Sequence, residues 1–227
     1  MTPERFAFFN RLIDHRQLDL TLVNDGIHKQ QNLSAILRTC DAVGVARIHR
    51  VFDHRSAKTF RGTAAGSHKW VDVVTHETSS EAIAPLREQG FQIIAAHLSE
   101  QSVDFKAIDY TRPTAIVMGN EKFGVSDEAL ALCDHVITIP MIGAVESLNV
   151  SVAAALILYE AMRQREHTDS YGVRQMGQSE AEKLLFEVTQ PRLMRYCREK
   201  KIAYPELDEK GELRFPEQWI AALRAKK

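Results

Sequence analysis

The stretch IPMIGAVESLNVSVAAALILYE, Ile139 to Glu160, constrains the fold more than any other. It opens on the end of a strand, His135–Pro140, in which Val136, Ile137 and Ile139 are apolar and β-branched. Pro140 and Gly143 then force a loop, which carries Glu146, Ser147 and Asn149 into a helix beginning at about Val150. The helix, VSVAAALILYEAM, is apolar nearly all the way round, so it has no solvent face and asks to be buried on both sides. A sheet suits one side, and a partner subunit is the obvious cover for the other. Polar groups gathered where a strand ends and a buried helix begins stand where open α/β sheets hold their ligands. A core helix with a polar N-cap is the alternative.

The rest of the chain alternates in the same way. Leu20–His28 reads as a strand and Gln30–Gly44 as a helix, with Asn32 as N-cap, Leu33, Ile36, Leu37, Cys40 and Val43 as its apolar face, and Gly44 as its C-cap. Arg38 sits on the other side with Ser34 and Asp41. Further strands are expected over Ala46–Asp53, Trp70–Thr75, Phe91–Leu98 and Thr114–Gly119, with a helix over Ser79–Gln89 and a polar linker running to Arg112. Short apolar strands alternating with helices predict an α/β fold whose mostly parallel sheet is covered on both faces.

Basic residues gather at the two ends and in one internal segment. A helix from Pro3 to about Arg16 carries Phe6, Phe9, Leu12 and Ile13 in a stripe, with Arg5, Arg11 and Arg16 off it, as a solvated face or an RNA contact. The segment after the second strand holds His54, Arg55, Lys58, Arg61 and Lys69, groups that bind phosphates without reading sequence. After Glu160 the chain turns polar, with a short amphipathic helix, EAEKLLFEV, and a helix that starts on Pro191. Arg192, Arg195 and Arg198 recur along that helix, Lys200 and Lys201 follow, and a helix around Trp219 precedes a basic tail. The expected organisation is a helical extension over 1–19, a central domain over 20–161, and a basic helical extension over 162–227.

A net charge of -1 over 227 residues provides no global attraction for nucleic acid, so any RNA contact must come from those local patches. Cys40, Cys133 and Cys197 are far apart and show no metal-like spacing, which fits thiols in a reducing cytosol. The N-terminus lacks a signal-peptide core and no apolar run reaches membrane-spanning length. A cytoplasmic, metal-free protein is expected. GNEKFGVS, Gly119–Ser126, nearly matches a phosphate-binding P-loop, but Val125 stands where that loop needs lysine. No GxGxxG follows a strand, and there is no nucleophile elbow. What remains is a GNE loop at 119, an ESLN loop after Pro140 and an Asn/Arg helix at 32–38, a set better suited to a neutral or cationic ligand carrying a ring than to a triphosphate.

Three motifs, NLSAILRTCDAVG, IVMGNEKFGVS and IPMIGAVESLNVSVAAALILYE, resemble in order those of the SpoU (TrmH-type) RNA 2′-O-ribose methyltransferases of the SPOUT superfamily, and the resemblance extends over nearly the whole chain. Within that family the combination is most similar to the tRNA enzymes that methylate the D-loop guanosine. The resemblance implies a C-terminal segment threaded into a deep trefoil knot, an arrangement that ordinary connection rules would not suggest. It implies S-adenosylmethionine bent in the knotted loops and held, largely by backbone, at Ala96, His97, Gly119, Asn120, Glu121, Ile139, Met141, Ser147, Leu148 and Asn149. It assigns the ribose hydroxyl to Arg38, with Asn32 orienting Arg38 or the ribose, a partly buried Glu121 as the rival base, and Ser147 and Asn149 holding loop and substrate. It implies a homodimer in which Arg38 of one subunit faces the cofactor of the other. The partner it implies is tRNA, for which Arg11, Arg55, Lys58, Arg61, Arg192, Arg195, Arg198 and Lys201 are the expected contacts. Methylation of ribosomal RNA, or RNA binding without catalysis, are the rival functions.

Overall fold

The computed structural model describes residues 2–52 and 70–225. It resolves into two compact units, one spanning Gln17–Tyr171 and the other formed by Met1–Arg16 together with Gly172–Lys227.

The larger unit is built on a seven-stranded sheet of β1 (Leu20–Asp25), β2 (Arg47–Val51), β3 (Asp72–His76), β4 (Gln92–Ala96), β5 (Val103–Asp104), β6 (Thr114–Met118) and β7 (His135–Thr138). The strand order is β3-β2-β1-β6-β4-β7-β5 and every pairing is parallel. Central strands β1 and β6 are buried along their whole length, as strands covered on both faces are, with Thr21, Asn24, Asp25 and Thr114 the polar residues among their apolar ones. Because successive side chains alternate, β1, β2, β4 and β6 each feed two cores. Leu20, Leu22, Ile94 and Ile116 lie under α2 (Gln30–Ala42) and α5 (Val150–Arg165), where Ile36, Leu37, Ile157 and Leu158 are fully buried. Val23, Ile93, Ala95 and Val117 lie under α3 (Ser79–Glu88) and α4 (Asp127–Leu130). Each such aliphatic side chain contributes about 1.5–3 kcal/mol by leaving water. The mostly parallel, doubly covered sheet expected from the sequence is therefore present.

Two late strands enter between earlier ones: β6 lies between β1 and β4, and β7 between β4 and β5. The parallel arrangement brings the carboxyl ends of β1, β4, β6 and β7 to one edge. At the other end of the unit, Arg165 is completely buried at the last turn of α5. Its guanidinium donates to Gln17 Oε1 at 2.8 Å, to the Asp19 carboxylate, and to the carbonyls of Tyr110, Asp19 and Arg112. A buried guanidinium needs such acceptors, since an unpaired one costs several kcal/mol.

The segment read as a polar linker before Arg112 is more ordered than its sequence suggests. It forms β5 and a 3-10 turn at Phe105–Ala107, and it buries Phe105, Ile108 and Tyr110 in the main core. Charged residues between these apolar ones hide the pattern from periodicity. Tyr110 donates its hydroxyl to the Phe105 carbonyl at 2.9 Å, and burial pushes its phenol well above its ordinary pKa. The domain edge expected at 161/162 falls inside α5, which continues to Arg165.

The smaller unit contains α1 (Pro3–Asp14), α6 (Gln178–Thr189), α7 (Pro191–Lys200), an antiparallel pair of β8 (Glu206–Leu207) and β9 (Leu213–Arg214), and α8 (Glu217–Ala225). Thr2 caps α1 and Pro3 opens it; α1 packs against α6, with Phe9 and Ile13 of α1 buried. Phe186 stacks on Tyr204 with ring centres 4.5 Å apart. Arg16, expected off the apolar stripe of a solvated helix, is instead buried. The helix ends at Asp14, so its face no longer dictates where that side chain goes.

Among the described residues no helix is long and apolar enough to cross a membrane, and no three potential metal-ligating side chains cluster.

Candidate active site

Two loops and one helix meet at the carboxyl edge of the sheet. The first loop follows β6. Asn120 and Gly124 exchange backbone hydrogen bonds at 2.8 and 2.9 Å, closing a tight turn. The Asn120 side chain stitches that turn from within: its Oδ1 accepts from the N–H groups of Lys122 (2.8 Å) and Phe123 (3.3 Å), and its Nδ2 donates to the Gly26 carbonyl (2.7 Å) just past β1. Gly119 must be glycine, because a Cβ there would lie 2.1 Å from the Gly124 carbonyl carbon. Gly124 adopts φ +73°, and a Cβ on it would approach His97 Nδ1 to 3.2 Å. The imidazole leaving β4 therefore rests against this turn.

Asp25, which the sequence reading did not single out, anchors the loop's far end. Its carboxylate accepts from Ser79 Oγ at 2.8 Å and from the Ser126 N–H at 2.7 Å. The available signal was a carboxylate closing an otherwise mostly apolar strand; Asp25 is buried with the rest of it.

The second loop follows β7 and is of the opposite kind. Ile139 is half-buried against the main core, whereas Ile142, Gly143, Val145, Glu146 and Ser147 are exposed. Among the described residues no hydrogen bond engages the backbone of residues 141–148. The loop closes on Asn149, the N-cap of α5, whose Oδ1 accepts from the Ser151 N–H at 2.8 Å.

Helix α2 joins the two loops. Asn149 Nδ2 donates to Asn32 Oδ1 at 3.1 Å, and Asn32 Nδ2 donates to Glu121 Oε1. The three sequence motifs are thus tied in one chain of side chains, with Asn32 as its centre because an amide both accepts and donates. Asn32 is not the N-cap expected from its residue type: Lys29 holds that position, and Asn32 is one turn inside, buried, its amide committed to distant partners. Glu121 is exposed, not partly buried as the rival-base reading requires. Arg38 is exposed six residues beyond Asn32, about 9 Å along the helix. Among the described residues it makes no hydrogen bond or ion pair, so a single protomer does not bring it to Asn32, Glu121 and Asn149.

Of the other predicted positions, Ala96 ends β4, Met141 and Leu148 are half-buried, and Ser147 is exposed. Arg11, Arg192, Arg195 and Lys201 are exposed. Arg198 donates to Glu187 and to the Tyr204 hydroxyl, both at 2.9 Å, and the Tyr204 bond, then Glu187, raises its pKa. His54, Arg55, Lys58, Arg61 and Lys69 lie outside the described residues.

These groups fit a methyl-sulfonium nucleoside. Eight residues of open backbone offer donors and acceptors to a heterocycle beside the half-buried Ile139. A purine bound through its edge by peptide groups and flanked by an aliphatic side chain needs no more.

Comparison with known proteins agrees with this arrangement. The chain matches the model of the SpoU rRNA methylase family over residues 19–159 and the SpoU rRNA methylase C-terminal model over residues 163–215. It is 48% identical over 228 aligned residues to the tRNA (guanosine(18)-2'-O)-methyltransferase of Escherichia coli K12, covering 99% of each chain. With the enzyme of that name from Thermus thermophilus it shares 52% identity over 164 residues, 72% of this chain and 84% of that one. The solved TrmH/SpoU tRNA modifying enzyme of A. aeolicus superposes with a TM-score of 0.75 at 39% identity, covering 88% of this chain and 98% of that one. The SpoU methyltransferase AviRb of Streptomyces viridochromogenes, solved in complex with the cofactor AdoMet, gives a TM-score of 0.59 at 29% identity, covering 70% of this chain and 62% of that one.

Proposed function

The chain belongs to the SpoU methylase family, and on that premise we propose that it transfers a methyl group from S-adenosylmethionine to the ribose 2′-oxygen of guanosine 18 in tRNA. The observation that carries the reading is the Asn149–Asn32–Glu121 chain, which joins all three family motifs at the carboxyl edge of a parallel sheet. The curated relatives named for this reaction support the choice of tRNA over ribosomal RNA, since the first is similar over 99% of the chain.

S-adenosylmethionine supplies a methyl group already activated on a sulfonium. The protein's work is alignment and charge. The open backbone of residues 141–148, with Ala96, His97, Gly119, Asn120, Ile139, Met141, Ser147 and Leu148, holds the donor. Asn32, fixed from both sides, and Asn149 orient the approaching ribose and hold it in attack geometry, which accounts for roughly 7–11 kcal/mol of the barrier in well-aligned systems. The guanidinium of Arg38 donates to the hydroxyl oxygen as negative charge develops there, and a neighbouring phosphate of the RNA takes the hydroxyl proton. Glu121, bonded to Asn32, acts as a positioning carboxylate and not as the base.

Arg38 reaches the site from a second copy of the chain. Val152, Leu156 and Tyr159 are 47, 42 and 51% exposed at helical spacing on α5, an apolar face that a copy of the same helix would cover. The knot belongs to the same reading: β7 lies between β4 and β5, both earlier in the chain, so residues after Met118 must pass back among strands already placed. Arg11, Arg55, Lys58, Arg61, Arg192, Arg195 and Lys201 supply phosphate contacts, while Arg198 is held by Glu187 and Tyr204 and sets the shape of that patch. The site of action is the cytoplasm, with the tRNA.

Labelled S-adenosylmethionine and an unmodified tRNA transcript test the reaction: the label is expected on the ribose of guanosine 18. Arg38→Ala is expected to reduce transfer about 10²- to 10³-fold with cofactor affinity kept. Label elsewhere, or near-normal transfer by Arg38→Ala with loss in Glu121→Ala, overturns the assignment. Sedimentation at micromolar concentration is expected to give a dimer, and Leu156→Glu a monomer that binds cofactor poorly.

A further inference from the structure

Helix α7 carries four cations, Arg192, Arg195, Arg198 and Lys200, against one acid, Glu199. Cys197 is completely buried and marks the side of the helix that faces the core. Tyr196, next to it in the chain, points away from that side and is 37% exposed. Arg192 and Lys200, both exposed, stand one turn before and one turn after it, so the three side chains form one row about 12 Å long. Among the described residues no hydrogen bond or ion pair engages the side chain of Arg192 or Lys200, and Tyr196 has neither a ring contact nor a hydroxyl partner. Other groups nearby are committed: Arg198 is held by Glu187 and Tyr204, Phe186 stacks on Tyr204, and Phe215 lies 5.0 Å from Trp219. At an exposed helix position a straight-chain residue would serve the helix better than an aromatic one, so the fold does not ask for this ring.

We propose that the Arg192–Tyr196–Lys200 row is a track for unpaired RNA, with one nucleobase stacked on the Tyr196 ring and the phosphates on either side of it met by Arg192 and Lys200. The inference rests on the methyltransferase reading and adds a base contact to a helical extension that otherwise supplies phosphate contacts alone. The occupant follows from the chemistry of the row. Two cations without partners call for phosphate, and a ring set between them calls for a flat group. A base in a duplex has both faces covered by its neighbours, so only an unpaired one has a face to give. Tyrosine suits the task because its two side-chain torsions leave little freedom to lose when the base arrives. Stacking accepts any base, so the row sorts looped from duplex RNA and does not read sequence.

The test is binding of an unmodified tRNA transcript to the full chain, followed by fluorescence anisotropy over a range of salt concentrations. Tyr196→Leu is expected to weaken binding about ten- to a hundredfold with Tm unchanged, and Tyr196→Phe to stay within about threefold of the parent. Leucine keeps an apolar side chain but has no aromatic face, so its loss separates stacking from simple hydrophobic contact. Arg192→Ala and Lys200→Ala should each lower the slope of log affinity against log salt by about one, a change that Tyr196→Leu should not make. In competition, Tyr196→Leu should lose affinity for an unpaired oligonucleotide and not for a duplex of the same length. Parent-like affinity in Tyr196→Leu overturns the track, as does an equal loss for duplex and unpaired RNA. A loss in Tyr196→Phe as large as that in leucine assigns the contact to the hydroxyl and overturns stacking. Unchanged salt slopes in both cation variants remove the phosphates from the row. A loss of affinity that follows a fall in Tm makes Tyr196 a support for α7 instead. If the parent binds tRNA yet transfers no methyl group to it, the methyltransferase reading fails while the track stands on the binding data, so the two failures are told apart.

Discussion

The two loops at the carboxyl edge of the sheet are built on opposite principles. The loop after β6 is closed by reciprocal backbone bonds, filled by one asparagine side chain, and so tight at Gly119 that no Cβ fits. The loop after β7 leaves residues 141–148 without a backbone hydrogen bond among the described residues, and a Cβ added at Gly143 would meet nothing within 4 Å. The difference separates two tasks. A fixed turn can hold Glu121 and Phe123 at set positions, whereas an open run of peptide groups has its hydrogen bonds in reserve for a ligand. Buried polar groups require partners, so such a run is tolerable only because it is exposed until something binds.

Substitution can break this contrast, and the largest effect is expected from Gly119→Ala. Its neighbours are backbone atoms that no rotamer change can clear, so the turn must open. A loss of about 3 kcal/mol or more is expected, read as a fall of roughly 6–12 °C in Tm, with loss of methyl transfer. Asn120→Ala keeps the glycines but removes the side chain that bonds Gly26, Lys122 and Phe123. It should cost about 1–3 kcal/mol in chemical denaturation and weaken cofactor binding in calorimetry. Gly143→Ala should do least, staying within about 0.5 kcal/mol of the parent in the same denaturation experiment. A large effect there would mean that the second loop is as constrained as the first, and the contrast would be lost.

Much of this could be read from residue order. The α2 stripe Leu33, Ile36, Leu37, Cys40 and Val43 is buried as its spacing requires, and Gly44 has the positive φ (+81°) of a residue just past a helix end. The helix from Val150 begins where Asn149 caps it. What sequence reasoning missed depends on partners far along the chain. Asn32 looks like an N-cap because its residue type favours caps, yet Glu121 and Asn149, 89 and 117 residues away, claim its amide. Glu121 owes its exposure to the turn that Asn120 builds, which no local pattern announces. Arg16 is buried by tertiary packing although its helix ends before it, and Phe105, Ile108 and Tyr110 are buried although Lys106 and Asp109 lie between them. The insertion of β7 between β4 and β5 has no signature in periodicity, since any strand of that composition fits any central slot.

The buried guanidinium of Arg165 also sets a timetable. Its acceptors at Gln17, Asp19, Tyr110 and Arg112 are all synthesised before it, and the first of them belongs to the start of the sheet. A nascent chain carrying every strand of the sheet still lacks the ion that gathers those carbonyls, so the larger unit cannot complete its bonding until the end of α5 has left the ribosome. Native structure in this protein is therefore a late event in translation, and a polypeptide cut short before residue 165 should be recognised as unfinished by proteases, however many of its strands are in hand.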